Sequence, residues 1–228
     1  MITKNKLTQI FCITLMLLAT KVYQQKRFKK GNKDLKRFTV KIYNGYTTTN
    51  QTSKLLIVGG RYNMSNSITV GFSSAWYYNK NWSAELTAST GKYKIDMING
   101  NYTELGLYRK SMSLGYVWVT PISLSARYHL TEWSKNIIPY VLAGSSYLLF
   151  TNVDPGWGAS SVKYQNISAL HFALGIDFNI DKHWFINAET RKFLTDKSNV
   201  EVEILNSQLK TQLKPELFNF TIGVGYIF

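Results

Sequence analysis

Few side chains in this chain could make or break bonds. Histidine occurs three times, at His129, His171 and His183, and the one cysteine is Cys12. A hydrolase or acyltransferase needs a nucleophile with a base in reach. His171 has alanine on both same-face neighbours, Ala169 and Ala173, which leaves Ser146 on a separate segment as its candidate partner. No His, Asp or Glu group has metal-ligand spacing, and a single cysteine rules out a disulfide scaffold and a cysteine-based zinc site. The expectation is a protein that is not an enzyme, with no cofactor and no metal. The remaining candidates are charges set singly among apolar and small residues: Lys41, Glu85, Arg127, Asp177, Glu189 and Arg191. Such charges do something together only if the fold collects them.

The elements that carry them repeat with period two. Phe218, Phe220, Ile222, Val224, Tyr226 and Phe228 share one face, opposite Asn219, Thr221, Gly223 and Gly225. Segments around 66–78, 122–130 and 170–180 alternate in the same way. A soluble sandwich would carry Lys and Glu on its second face. Here that face is Gly, Ser, Thr, Ala and isolated charges, which suits a narrow enclosed lumen with large apolar residues turned to lipid. Aromatics gather at strand ends (Trp76, Tyr78 and Trp82; Tyr128 and Trp133; Phe178 and Trp184), as at a membrane interface. Short connections at 79–81, 131–136 and 181–183 alternate with long ones at 47–65, 91–109, 151–166 and 195–212. The pattern predicts an all-β fold, an eight-stranded antiparallel transmembrane β-barrel over 37–228, with strands near 37–46, 66–78, 82–95, 110–130, 139–150, 167–180, 184–194 and 213–228. Short turns and both termini then face the periplasm. Closure is required because lipid cannot satisfy an open strand edge.

The charge distribution agrees. The net charge is +14 over 228 residues, yet residues 1–41 hold eleven Lys and Arg against one acid, Asp34. The excess lies in an N-terminal tail, which argues against nucleic acid as a partner. Lys4 and Lys6 precede an apolar stretch from Leu7 to Ala19, the length of a signal-peptide core and too short to span a bilayer. Residues 1–20 are read as a signal peptide and 21–36 as a basic flexible periplasmic arm.

Counting the phase of each strand from its short turn turns Glu85, Arg127 and Asp177 inward, with Lys41, Glu189 and Arg191 somewhat higher. Three cations and three anions in one enclosed region form a balanced network, because buried charge survives only when paired. It is read either as a structural plug or as a polar gate. Above it, Tyr93, Ile95, Val117, Val119, Leu148, Phe150 and Phe193 turn inward, either as an apolar vestibule for a small ligand or as plain packing. Pro121 lies inside the fourth strand and removes one ladder hydrogen bond, so the wall should be weakest there. Loop cations such as Lys54, Arg61, Lys92, Lys94 and Lys163 are placed either to meet lipopolysaccharide phosphates or merely for solubility.

Three stretches carry a family resemblance: Ile138-Pro139-Tyr140-Val141-Leu142-Ala143-Gly144; Ala173-Leu174-Gly175-Ile176-Asp177-Phe178 followed by Trp184-Phe185-Ile186-Asn187-Ala188; and Gly223-Val224-Gly225-Tyr226-Ile227-Phe228. In this order and spacing the chain resembles the outer membrane protein W family of Gram-negative bacteria. The resemblance implies an outer-membrane barrel with a narrow, largely hydrophobic channel, linked to uptake of small apolar solutes and used by some bacteriocins as a receptor. It implies lateral exit of the solute at the strand carrying Pro121, and an assembly signal at Tyr226 and Phe228 for the barrel assembly machinery. The sequence departs from the family at its basic arm and at Arg191, where the family tends to place a bulky apolar luminal residue. The alternative reading is a structural barrel that transports nothing and acts through its long loops.

Overall fold

The period-two runs are strands in the computed structural model of the chain, which describes residues 38–51, 54–55, 60–98, 111–131, 134, 136–156, 159–204 and 207–228. The signal-peptide and basic-arm readings, and Trp133, lie outside the described residues. Eight strands form the wall: β1 (Phe38–Gln51), β4 (Ser67–Tyr77), β5 (Trp82–Ile98), β6 (Ser111–His129), β7 (Ile137–Asp154), β9 (Ile167–Asn179), β10 (Trp184–Thr195) and β13 (Pro215–Ile227). Each pairs antiparallel with its neighbours in the ring β4-β1-β13-β10-β9-β7-β6-β5, and β5 pairs back to β4. No wall strand has an open edge, which lipid requires. The closing seam joins the two ends of the chain. Thr39 is opposite Ile227, the Phe228 N–H donates to the Phe38 carbonyl at 3.0 Å, and the Phe38 and Phe228 rings lie 5.7 Å apart.

One device closes all three short turns: a side-chain oxygen that accepts backbone N–H groups further along the chain. Asn79 Oδ1 accepts from Asn81 and Trp82 at 2.9 and 2.8 Å, and Asp181 Oδ1 from His183 and Trp184 at 2.7 and 2.8 Å. Ser134 Oγ accepts from Asn136 and Ile137 at 3.3 and 3.4 Å. Asn, Asp and Ser are turn formers for this reason.

Strand phase sorts the side chains. Ile42, Ile68, Leu124, Leu170, Leu174 and Ile222 are exposed on the outer face, a belt suited to lipid tails. Trp76, Tyr78, Trp82, Trp184 and Phe228 are exposed at its short-turn rim. Inward residues are buried. Of the four prolines, Pro215 opens β13, Pro139 lies in the first residues of β7 and Pro155 follows its end, so Pro121 alone lies deep inside a strand.

The long connections are not simple loops. They hold β2 (Lys54–Leu55), β3 (Gly60–Met64), β8 (Ser161–Tyr164), β11 (Ser198–Ile204) and β12 (Ser207–Leu213). β3 pairs with the upper end of β5, and β8, β11 and β12 form a separate three-stranded sheet. The expectation of loops overlooked the alternation inside them: Val200 and Val202 are buried, while Glu201 and Glu203 are exposed. The wall strands also run longer than expected, to Ile98 in β5 and Asp154 in β7. The register of β6 against β7 shifts between Tyr116 and Trp118. Gly115 adopts a φ of 86° beside that shift, a conformation that favours glycine.

Candidate functional site

The lumen is layered from the short-turn end to the long-loop end. At the base, His129 Nε2 lies 3.0 Å from Ser83 Oγ, and its ring stacks on Tyr77 at 4.9 Å.

Above it the six predicted charges come together, all at least nine-tenths buried. Arg127 on β6 is the hub. Its guanidinium contacts Glu85, reaches Asp177 Oδ2 at 3.3 Å and Glu189 Oε2 at 3.7 Å, and lies 3.9 Å from the centre of the Tyr140 ring. Arg191 pairs with Glu189 Oε1 at 2.8 Å and Glu85 Oε1 at 3.3 Å. Lys41 donates to Asn187 Oδ1 at 2.8 Å and lies 3.9 Å from Glu189 Oε2. The cluster draws on β1, β5, β6, β7, β9 and β10, so it ties most of the ring together across the lumen.

Uncharged residues complete the cluster, and these were not anticipated from the sequence. The Tyr140 hydroxyl donates to Glu189 Oε2 at 2.7 Å and accepts from Asn187 Nδ2 at 2.8 Å. Asn187 Nδ2 is also 2.7 Å from Asp177 Oδ1, and Thr87 donates to Glu85 Oε1 at 3.0 Å. The phase count that found the charges also turns Tyr140, Asn187 and Thr87 inward. Phase alone does not single them out, because an isolated neutral side chain, unlike a buried charge, does not demand a partner. The six charges sum to zero, and each buried carboxylate has both ionic and neutral partners.

The next layer is neutral and polar. His171 has a serine on each nitrogen: Ser125 Oγ at 2.7 Å from Nε2 and Ser146 Oγ at 2.8 Å from Nδ1, with Ser123 Oγ 2.7 Å from Ser146 Oγ. Ser146 is thus within reach of His171. These two hydroxyls, one from β6 and one from β7, orient the imidazole. Among the described residues no group of three His, Cys, Asp or Glu is placed to hold a metal ion.

The upper lumen is apolar. Tyr93, Ile95, Val117, Val119, Leu148, Phe150 and Phe193 are all buried in one cluster. They do not line an open cup. Val162, Val200, Val202, Leu209 and Leu213, the inner face of the β8-β11-β12 sheet, belong to the same cluster and cover it. The outer face of that sheet carries exposed Lys163, Glu201, Glu203 and Lys210. Apolar cup and apolar lid bury each other because neither alone could hide its hydrophobic face.

At Pro121 the wall is asymmetric. Pro121 remains opposite Leu148 of β7. Towards β5 the ladder runs through Ala88–Ile122 and resumes at Gly91–Val119, leaving Thr120 and Pro121 outside it. Thr90 and Thr120 bridge the gap by their hydroxyls, 2.9 Å apart. The gap therefore lies between β5 and β6, next to vestibule residue Val119. Tyr226 packs among Trp184 at 5.1 Å, His183 at 5.6 Å and Phe228 at 4.9 Å, an aromatic rim at the closing seam.

Comparison with known proteins agrees with this architecture. The family model described as the OmpW family matches residues 29–228. An uncharacterized outer-membrane protein, y4mB, of Sinorhizobium fredii is 25% identical over 173 residues, 75% of this chain and 71% of the relative. The crystal structure of the outer membrane protein OprG from Pseudomonas aeruginosa superposes with a TM-score of 0.69 at 18% identity, covering 86% of this chain and 99% of that one. The solid-state NMR structure of the outer membrane protein AlkL gives a TM-score of 0.61 at 18% identity over 89% of this chain and 95% of that one. The NMR structure of Escherichia coli outer membrane protein W gives 0.53 at 16% identity over 86% and 100%. The lipid-facing belt, the closed ring and the family match over most of its length converge: this chain belongs to the OmpW family and is an eight-stranded β-barrel of the bacterial outer membrane.

Proposed function

We propose that the barrel takes up small apolar molecules from the cell surface and releases them sideways into the outer membrane. The observation that carries this reading is an apolar cluster set above a balanced, fully enclosed charge cluster, with one neutral polar layer between them. A polar solute moving straight to the periplasm would have to break buried ion pairs. An apolar solute that stops above them loses little by leaving into lipid. The ladder gap beside Pro121 lies at the height of the apolar cluster and supports lateral exit between β5 and β6. The short-turn end faces the periplasm in this reading. The sheet over the cluster has to swing aside for a solute to be admitted.

The test is uptake of a hydrophobic fluorescent probe by cells with and without the protein, at matched expression. Phe150→Asp charges the cluster without touching the lipid face and should abolish uptake while sparing assembly. Pro121→Val supplies the missing N–H and should slow exit. Uptake indifferent to the protein or to Phe150→Asp would reject transport. It would favour a surface-binding barrel acting through the charged outer face of the β8-β11-β12 sheet. We also propose that Tyr226 and Phe228 serve as the handle for the barrel assembly machinery; deletion of Phe228 should then lower the yield of folded barrel rather than alter a finished one.

A further inference from the structure

Between the charge cluster and the apolar cluster the two sides of the lumen differ. On the β6, β7 and β9 side, Ser123, Ser125, Ser146 and His171 satisfy one another. On the β1, β4 and β13 side, Asn219 Oδ1 and Thr69 Oγ1 have no hydrogen-bond partner among the described residues, although both residues are more than nine-tenths buried. They converge on one spot. A β-carbon placed on Gly45 would lie 2.7 Å from Asn219 Oδ1 and 2.8 Å from Thr69 Oγ1. Two buried polar atoms so close together and both unpartnered cost stability that the protein would recover by bonding them to a ligand. The apolar cluster begins one inward position above. Leu217 follows Asn219 on the same face of β13, and its register partner Phe193 follows Arg191 on β10.

Resting on the uptake reading, we infer that Asn219 and Thr69 form the polar end of the solute site, and that the solute class is an apolar chain bearing one hydroxyl group. The chain lies in the cluster of Leu217, Phe193 and Tyr93, and the hydroxyl points down towards Gly45. Donor and acceptor matching selects the group. A hydroxyl donates to the Asn219 amide oxygen and accepts from the Thr69 hydroxyl. A ketone or ether accepts only and leaves the amide oxygen unpaired. A carboxylate also accepts only, and the three cations below are already matched by three anions. An alkane leaves both atoms unpaired, so the site penalises the analogue that lacks the hydroxyl. Eight strands set the width of the barrel, and Gly45, Ser67, Thr69, Ser89 and Gly91 are small on this side. A β-carbon on Gly45 would also lie 2.7 Å from Thr221 Cγ2, so a hydroxyl reaches this spot by turning the ends of the Thr69, Asn219 and Thr221 side chains aside.

The experiment is NMR of the refolded, isotope-labelled chain in lipid nanodiscs, titrated with 1-octanol and separately with n-octane. 1-Octanol is expected to shift the Asn219 side-chain amide and the Thr69 methyl together with the methyls of Leu217 and Val119. Octane is expected to shift only the latter two. Thr69→Val combined with Asn219→Leu should weaken 1-octanol about tenfold, the loss of one to two hydrogen bonds, and leave octane unweakened. If both probes shift the cluster methyls while Asn219 and Thr69 stay unmoved, the inference is overturned and uptake survives. If neither probe shifts the cluster methyls, both readings fail. The wild-type titration decides even if the double variant does not fold.

Discussion

Tyr140 occupies the space that a side chain at Gly175 would need. The two residues are register partners on β7 and β9, and a β-carbon on Gly175 would overlap the phenol at Cζ and its hydroxyl oxygen. This placement lets the hydroxyl reach Glu189 and Asn187 while the ring sits beneath Arg127. Gly175→Ala should therefore displace the ring and cost about 1–3 kcal/mol, the usual penalty for overpacking. Tyr140→Phe keeps the ring and removes only the hydroxyl, and should cost about 1–3 kcal/mol for a carboxylate and an amide left short of a partner. Urea unfolding in detergent micelles measures both. Equal stability of Gly175→Ala and wild type would show that the ring is free to move.

Arg127→Ala should destabilise the barrel by about 3–5 kcal/mol, because Glu85 and Asp177 stay buried after losing their main cation. Glu85→Gln together with Arg127→Gln keeps the cluster neutral and should cost less than Arg127→Ala. The heat-dependent shift on a denaturing gel, followed against temperature, ranks the variants. A double change whose cost equals the sum of its single changes would show that the two side chains do not interact.

Val202 and Leu209 are register partners on β11 and β12, both buried against the barrel. Changing both to Ser should loosen the sheet over the apolar cluster and leave the wall intact. Binding of an apolar fluorescent dye to the folded barrel should rise, with the heat-dependent gel shift unchanged. Dye binding equal to wild type would mean that the sheet does not limit access.

Asp181 lies in a short turn outside the lipid belt. Two backbone N–H donors, from His183 and Trp184, hold its carboxyl below its ordinary value. With the folded value lowered, the turn's contribution is complete above the ordinary carboxylate value of about 3.9 and fades as pH falls through the folded value. Carbon-detected NMR titration should place the Asp181 midpoint below that of an exposed aspartate. Asp181→Asn keeps an accepting oxygen and should remove the pH dependence while retaining the turn.

Much of this protein is determined locally, and so was legible in the sequence. Period two, small residues on one face and bulky apolar ones on the other specify a barrel wall, because in lipid only that sorting satisfies both sides of a strand. Asn79, Ser134 and Asp181 specify the short turns because their side-chain oxygens act within a few residues. The inward charges were legible because the phase of a strand follows from its turn.

What each charge touches was decided only by tertiary structure. Arg127 meets Asp177, fifty positions away in sequence, through the stagger of strands around a closed ring. Stagger depends on the pairing of all eight strands at once, which no single strand encodes. The lid is a second case. Val200 and Val202 alternate like a strand in any sheet, and only packing shows that their buried face covers Phe150 and Leu148. The side on which Pro121 opens the ladder is a third. Proline announces a missing N–H, but which neighbour loses the bond depends on the phase of pairing, which placed the gap towards β5.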